Sequence, residues 1–257
     1  MRPHGRIDFN CDLGEGCGND AAIIPLISSA NIACGAHAGD TASMRATLRL
    51  CREHGVAAGA HPGYVDREHF GRHDLALEKS EITKLIRSQL ATIAAIAKEE
   101  DIALVHVKPH GALYNQAARD PLLADAIADA VRAFNQSLIL IGLAGSELPR
   151  AGERAGLRVA HEAFADRLDR ADGSLVPRSQ ANAVIDSVDD AVAQALAIAQ
   201  GQPIIAADGA LIELHADTIC LHGDGADAVA FARHLRATFA TANVRVQGLD
   251  LHAAADS

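Results

Sequence analysis

The chain has no tryptophan, and only two tyrosines and six phenylalanines in 257 residues. A core large enough for one domain of this length must therefore be built from Ala, Leu, Ile and Val. Such residues suit helices packed over a parallel sheet that is covered on both faces. No apolar run approaches the length of a membrane span, so none is expected. The opening Met1-Arg2-Pro3-His4-Gly5-Arg6 leads into no signal-type apolar stretch. There is no C-x-x-C pair. The cysteines are Cys11, Cys17, Cys34, Cys51 and Cys220, odd in number, and reduced thiols in a cytoplasmic protein are expected. Basic runs and aromatic-basic clusters are missing too, and the net charge is −10, which argues against a nucleic-acid partner. No linker or low-complexity tract divides the sequence, so residues 1–257 are read as one domain. Three nucleotide and hydrolase signatures are also lacking. Gly14-Glu15-Gly16-Cys17-Gly18 has no third glycine of G-x-G-x-x-G, and neither a P-loop nor a G-x-S-x-G elbow occurs. Any nucleotide is then held by an unusual site or with a partner's help.

What the chain does have is two polar–apolar alternations that run into glycine. In Ile7-Asp8-Phe9-Asn10-Cys11-Asp12 the even positions are polar. In Val105-His106-Val107-Lys108-Pro109-His110 they are His, Lys and His. Neighbouring side chains on a strand point to opposite faces, so each stretch carries one apolar face and one ionisable face. A strand that only filled a core would not stack Asp, Asn, Lys and His on one side. These faces are read as an active-site lining.

Further apolar segments end in Gly or a polar cluster: 32–35, 56–59, 104–107, 138–142, 218–221 and, more weakly, 158–161. With residues 7–12 they make seven expected strands. Helical periodicity is clearest from about Glu78 to Glu99, and recurs at about 121–133, 186–200 and 225–240. This alternation predicts a parallel sheet with right-handed crossovers. The stretch 162–184 is expected to be a long polar loop, and 201–217 to add a small hairpin.

The polar clusters follow the strands: Asp12–Gly16, His37–Asp40, His61–Tyr64, Lys108–Gly111, Gly145–Glu147 and His222–Gly225. Ligands of parallel α/β proteins bind at the carboxyl ends of strands. Asp12 with Glu15 suits a general acid/base pair, and Lys108 suits a phosphate or a developing oxyanion. Lys108 also suits an ion pair with Asp8 or Asp12. Asp12, His37 and His61 have the mixed ligand chemistry of a divalent-metal site.

These segments, in this order, resemble the LamB/YcsF family. The matching stretches are IDFNCDLGEG, SSANIACGAHAGD, GAHPGY, HVKPHGALYNQAA, GLAGSE, FADR, DGSLVPRSQ and CLHGDG. The resemblance implies a seven-stranded parallel β/α barrel, akin to the glycoside hydrolase/deacetylase-type barrel. It implies cleavage of the 5-oxoproline lactam to glutamate, coupled to hydrolysis of ATP with its Mg ion, together with two other 5-oxoprolinase subunits. On that basis Asp12 or Glu15 activates water. Lys108 and His110 stabilise phosphate or oxyanion, and Arg167 and Arg178 clamp an anion. Asn10, His222 and Asp224 complete the binding surface. The sequence departs from the family pattern at Ala36, where Phe is usual, at Leu168-Asp169, where Gly-Tyr is common, and at Asn182, where Gly is usual.

Two other functions fit the same residues. One is a stand-alone metal-dependent amidase or deacetylase. The other is a non-catalytic ligand-binding subunit whose partners carry the chemistry.

Overall fold

The fold is taken from a computed structural model that describes residues 5–178, 180–181, 183–185, 187–222 and 227–250. Asp224 and Asn182 lie outside the described residues. Seven parallel strands close into a barrel: β1 (Arg6–Leu13), β2 (Ser29–Ala33), β3 (Ala57–His61), β4 (Leu104–Val107), β5 (Ile139–Leu143), β6 (Arg158–Phe164) and β9 (Thr218–His222). Each pairs with the next, and β9 returns to β1 through the register Asp8↔Thr218 to Asp12↔His222. A short strand, β10 (Arg245–Val246), extends the sheet beside the start of β1. The expected hairpin forms outside the barrel, from β7 (Ile204–Ile205) and β8 (Leu211–Ile212).

Among the described residues, eight α-helices connect or flank the strands: α1 (Asp20–Ile23), α2 (Thr41–His54), α3 (Lys79–Glu99), α4 (Gly111–Ala117), α5 (Pro121–Phe134), α6 (Glu147–Arg154), α7 (Val188–Ala199) and α8 (Ala228–Thr241). In α3, Ile82, Ile86, Leu90, Ile93 and Ile96 recur at helical spacing and are buried against the barrel core. Each such side chain contributes about 1.5–3 kcal/mol by leaving water. Helix α2 starts at Asp40, whose carboxylate accepts from Ser43 N at 2.8 Å while Ser43 Oγ accepts from Asp40 N at 2.8 Å. Asp40, within one of the polar clusters, is thus a helix cap. Glu147 likewise serves the surface, paired with Arg150 at 2.7 Å.

The strand alternation sorts the two faces. Outside, Ile7, Phe9, Cys11, Ile32, Ala58, Ala60, Val107, Leu138, Leu140 and Ile219 meet the helices. Inside, β5 contributes the apolar Ile139 and Ile141, which cluster with Ala160. The opposite side of the interior is polar. Asp8, Asn10 and Asp12 of β1 lie inward, with Ser29 and Asn31 of β2, His61 of β3, His106 of β4, Glu162 of β6 and Thr218 of β9. All of these are buried. Gly59 of β3 makes room for the His106 ring, since a Cβ there would sit 2.1 Å from it.

Candidate functional site

The buried polar groups form one hydrogen-bonded network across the barrel axis. Asp8 accepts from Ser29 at 2.6 Å and from Thr218 at 2.5 Å. Asn10 Nδ2 donates to Glu162 Oε1 at 3.0 Å and to Thr218 Oγ1 at 2.6 Å. Asn31 Nδ2 donates to Asn10 Oδ1 at 2.7 Å and to Asp12 Oδ1 at 2.8 Å, and His106 Nε2 donates to Asn31 Oδ1 at 2.8 Å. The expected binding residue Asn10 is therefore a strut joining β1 to three other strands.

Lys108 tops this network. Its Nζ lies 2.9 Å from Asp12 Oδ1, 2.9 Å from Glu162 Oε1 and 3.1 Å from Cys220 Sγ. Burial works against both charges of the Asp12–Lys108 pair. His61 and Lys108 nonetheless hold the Asp12 carboxyl well below the ordinary range, while Asp12, Cys220 and Glu162 hold Lys108 well above it. The pair therefore stays ionised in the barrel.

Beyond Asp12, four side chains converge. Glu15 Oε1 is 3.4 Å from His37 Nε2, 3.5 Å from His110 Nδ1 and 4.0 Å from His61 Nε2. His61 Nε2 and His110 Nδ1 are 2.9 Å apart. His37 and His110 stack with ring centroids 3.7 Å apart and planes 2° from parallel. Burial, followed by the neighbouring His61, lowers the His37 pKa to about 3 and that of His110 well below the usual value. Asp20 fixes the turn that presents Glu15 by accepting from Gly14 N at 2.9 Å and Thr47 Oγ1 at 2.7 Å.

This geometry corrects two expectations. His110 joins His37, His61 and Glu15, not Lys108. Strand β4 ends at Val107, and Pro109 cannot continue a ladder. The chain turns there, and His110 N donates to Pro62 O, which carries the ring to His61. Asp12, by contrast, is not among Glu15, His37, His61 and His110, whose ligand-type atoms lie within 4.8 Å of one another; its carboxylate groups with Cys220 and His222. Its Oδ1 serves Lys108 and Asn31, and its Oδ2 stands 3.3 Å from His61 Nε2, between the two clusters.

On the far rim, His222 Nδ1 lies 2.9 Å from Asp166 Oδ2, and Phe164 stacks on the imidazole. Burial opposes the Asp166 charge, but His222 and then Arg178 keep its carboxyl below the ordinary value. Arg178 is exposed beside this pair. Arg167 is buried, and its Nε and Nη2 donate to the carbonyls of Ala183 and Val176. Those two donors bind the long loop, so Arg167 shapes its base where an anion clamp was expected.

The sequence model of the LamB/YcsF family matches residues 7–254. The chain belongs to the LamB/YcsF family. The crystal structure of the lactam utilization protein from Thermus thermophilus is similar throughout. It shares 40% identity, covers 95% of this chain and 99% of its own, and superposes with a TM-score of 0.88. A family 4 carbohydrate esterase from Streptomyces lividans, in complex with acetate, is 12% identical over 96% of this chain and 94% of its own, with a TM-score of 0.45.

Of the departures from the LamB/YcsF pattern, Ala36 is buried next to His37. Asp169 is buried with Oδ2 lacking a hydrogen-bond partner, and burial raises its pKa to about 7. Sequence reasoning missed Glu162, Asp166 and Cys220 as site residues. Continuing the alternation of β6 past His161 would have found Glu162, because Ala160, Glu162 and Phe164 share one face.

Proposed function

We propose that this LamB/YcsF chain is a cytoplasmic subunit of an ATP-hydrolysing 5-oxoprolinase. It opens the 5-oxo-L-proline lactam to L-glutamate while ATP, bound with Mg, becomes ADP and phosphate, and two other subunits complete the enzyme. The observation that carries the reading is the ionised Asp12–Lys108 pair beside the Asp166–His222 pair, in a chain similar to a lactam utilization protein.

An unstrained lactam is a poor electrophile. Transfer of the ATP γ-phosphoryl group to the amide oxygen creates a good leaving group. Water then adds at the carbon, the ring C–N bond breaks as the nitrogen takes a proton, and the carboxyl phosphate so formed is cleaved by a second water to glutamate and phosphate. Asp12, kept charged, accepts a hydrogen bond from the incoming water and orients it. His222, aligned by Asp166, takes a proton from that water and passes it to the ring nitrogen. Lys108 balances negative charge at the mouth, and the exposed Arg178 meets the substrate carboxylate or a phosphate.

The test is 5-oxoproline-dependent ADP release, measured on this chain alone and then with its partner subunits. Activity is expected only in the complex. The rival amidase or deacetylase reading rests on the imidazole–carboxylate cluster, and amide hydrolysis by this chain alone without ATP would favour it. If inactive Asp12 and His222 variants still assemble with the partners, a purely passive subunit is excluded.

A further inference from the structure

We propose that Glu15, His37, His61 and His110 bind one first-row divalent transition-metal ion, with zinc the best match. The ion's service to lactam chemistry rests on the function proposed above. Its binding rests on geometry alone.

The argument begins with the backs of the rings. His61 Nδ1 is 2.7 Å from the Lys108 carbonyl oxygen, and His110 Nε2 is 2.9 Å from the Phe70 carbonyl oxygen. A carbonyl only accepts, so each of these nitrogens carries the proton. With both rings neutral, as an ion taking the place of a proton on His61 Nε2 would leave them, the other nitrogens, His61 Nε2 and His110 Nδ1, present bare lone pairs. Those two lone pairs face each other across 2.9 Å. Two acceptors at that separation repel unless something positive sits between them. A carbonyl behind each ring, fixing the tautomer and turning the lone pair inward, is how metal-binding histidines are oriented.

The separations also fit. Zinc binds imidazole nitrogen and carboxylate oxygen at about 2.0–2.2 Å, and ligands on a tetrahedron of that size stand about 3.3–3.5 Å apart. Here the pairs measure 2.9, 3.4, 3.5 and 4.0 Å, and all four ligand atoms lie within 4.8 Å of one another. Three nitrogens and one oxygen suit zinc and its neighbours better than magnesium or calcium.

The surrounding backbone is strained to build this cradle. Phe70 has φ 56°, which a bulky residue adopts at a cost of about 1–3 kcal/mol, and its carbonyl is the one that orients His110. The adjoining Gly71 has φ 64°, and a Cβ there would come 2.8 Å from His37 Cβ and 3.0 Å from the His110 ring. Such an ion would sit beside Asp12, where it supplies Lewis-acid charge to a bound oxygen.

The experiment uses the full chain, stripped with a chelator, loaded with zinc at neutral pH, dialysed and assayed for metal by mass spectrometry. The wild type is expected to retain one ion per chain. His61→Asn and His110→Asn, checked for folding by circular dichroism, are expected to weaken binding by well over about tenfold. His69→Ala, in the exposed Asp66–His69–His73 group, is expected to retain it. Cobalt loading should give the intense visible bands of a four-coordinate site, and His37→Asn or Glu15→Gln should alter them. No retained ion, equal retention by the His61 and His110 variants, or loss on His69→Ala would overturn the proposal. So would nitrogen NMR showing His61 doubly protonated in the zinc-treated protein, because an imidazolium would then fill the gap. ADP release that persists in a metal-free chain sinks only the ion's service. A bound ion with no lactam-dependent ADP release sinks only the proposed function.

Discussion

Lys108 Nζ stands 2.9 Å from Asp12 Oδ1, and the same ammonium stands 2.9 Å from Glu162, so one buried cation holds two buried carboxylates. Removing the cation strands both. Lys108→Ala is expected to lower unfolding stability by about 3–5 kcal/mol in urea titrations. Glu162→Gln, which leaves the Asp12–Lys108 pair intact, is expected to lose less.

Asp12→Asn removes the charge and keeps the shape. With Lys108 still paired to Glu162, the fold is retained. Lactam-dependent ADP release in the assembled enzyme is expected to fall by about 10²–10⁴-fold. A near-wild-type rate in a folded, assembled variant would remove Asp12 from the chemistry.

Under the proposed function the hydrogen-bonded His222 and Asp166 act as a unit. His222→Asn and Asp166→Asn are each expected to cut turnover by about tenfold or more, and the double variant to lose little beyond the worse single change. The pH–rate profile should lose a limb in both. Additive losses would mean that the two residues work separately.

Gly59→Ala places a methyl group where the His106 ring already sits, at 2.1 Å. The ring is buried and hydrogen-bonded to Asn31, so neither side has room to yield. The variant is expected to lose about 3 kcal/mol or more, read as a lower thermal midpoint. An unchanged midpoint would show that the ring relocates freely.

Asp169 makes stability fall as pH rises. Its pKa is about 7 in the fold against an ordinary 3.8. Below about pH 4 both folded and unfolded chains hold the proton, and nothing is lost. Between about pH 4 and 7 only the unfolded chain releases it, so stability declines by roughly a few kcal/mol and then levels off. Asp169→Asn is expected to raise the thermal midpoint at pH 8 and to leave it unchanged near pH 4.

The barrel was legible because alternation is a local signal. Residues 7–12 and 104–107 announce an apolar back and a polar front, and glycine-rich ends mark where each strand stops. The hairpin of β7 and β8 falls within the stretch 201–217 that the sequence reading assigns to one. The two-residue β10 is too short to carry a pattern. Glu162 is hidden because the polar composition of 162–184 reads as loop from its first residue, although β6 runs on to Phe164. The grouping of the histidines lay beyond sequence reach. His110 has the parity of Lys108 on paper, but Pro109 ends the strand between them. The carbonyls that orient the rings come from Phe70 and Lys108, and a backbone atom leaves no trace in residue identity.

The seam between β1 and β9 joins residue 8 to residue 218, through Asp8 and Thr218. Until synthesis reaches that last stave, the barrel is an open trough, and its row of acids and amides stays hydrated. The inward-facing polar network is therefore completed only once that segment has been made. Truncation before Thr218 is expected to abolish the site as a whole, however much helix the shortened product retains.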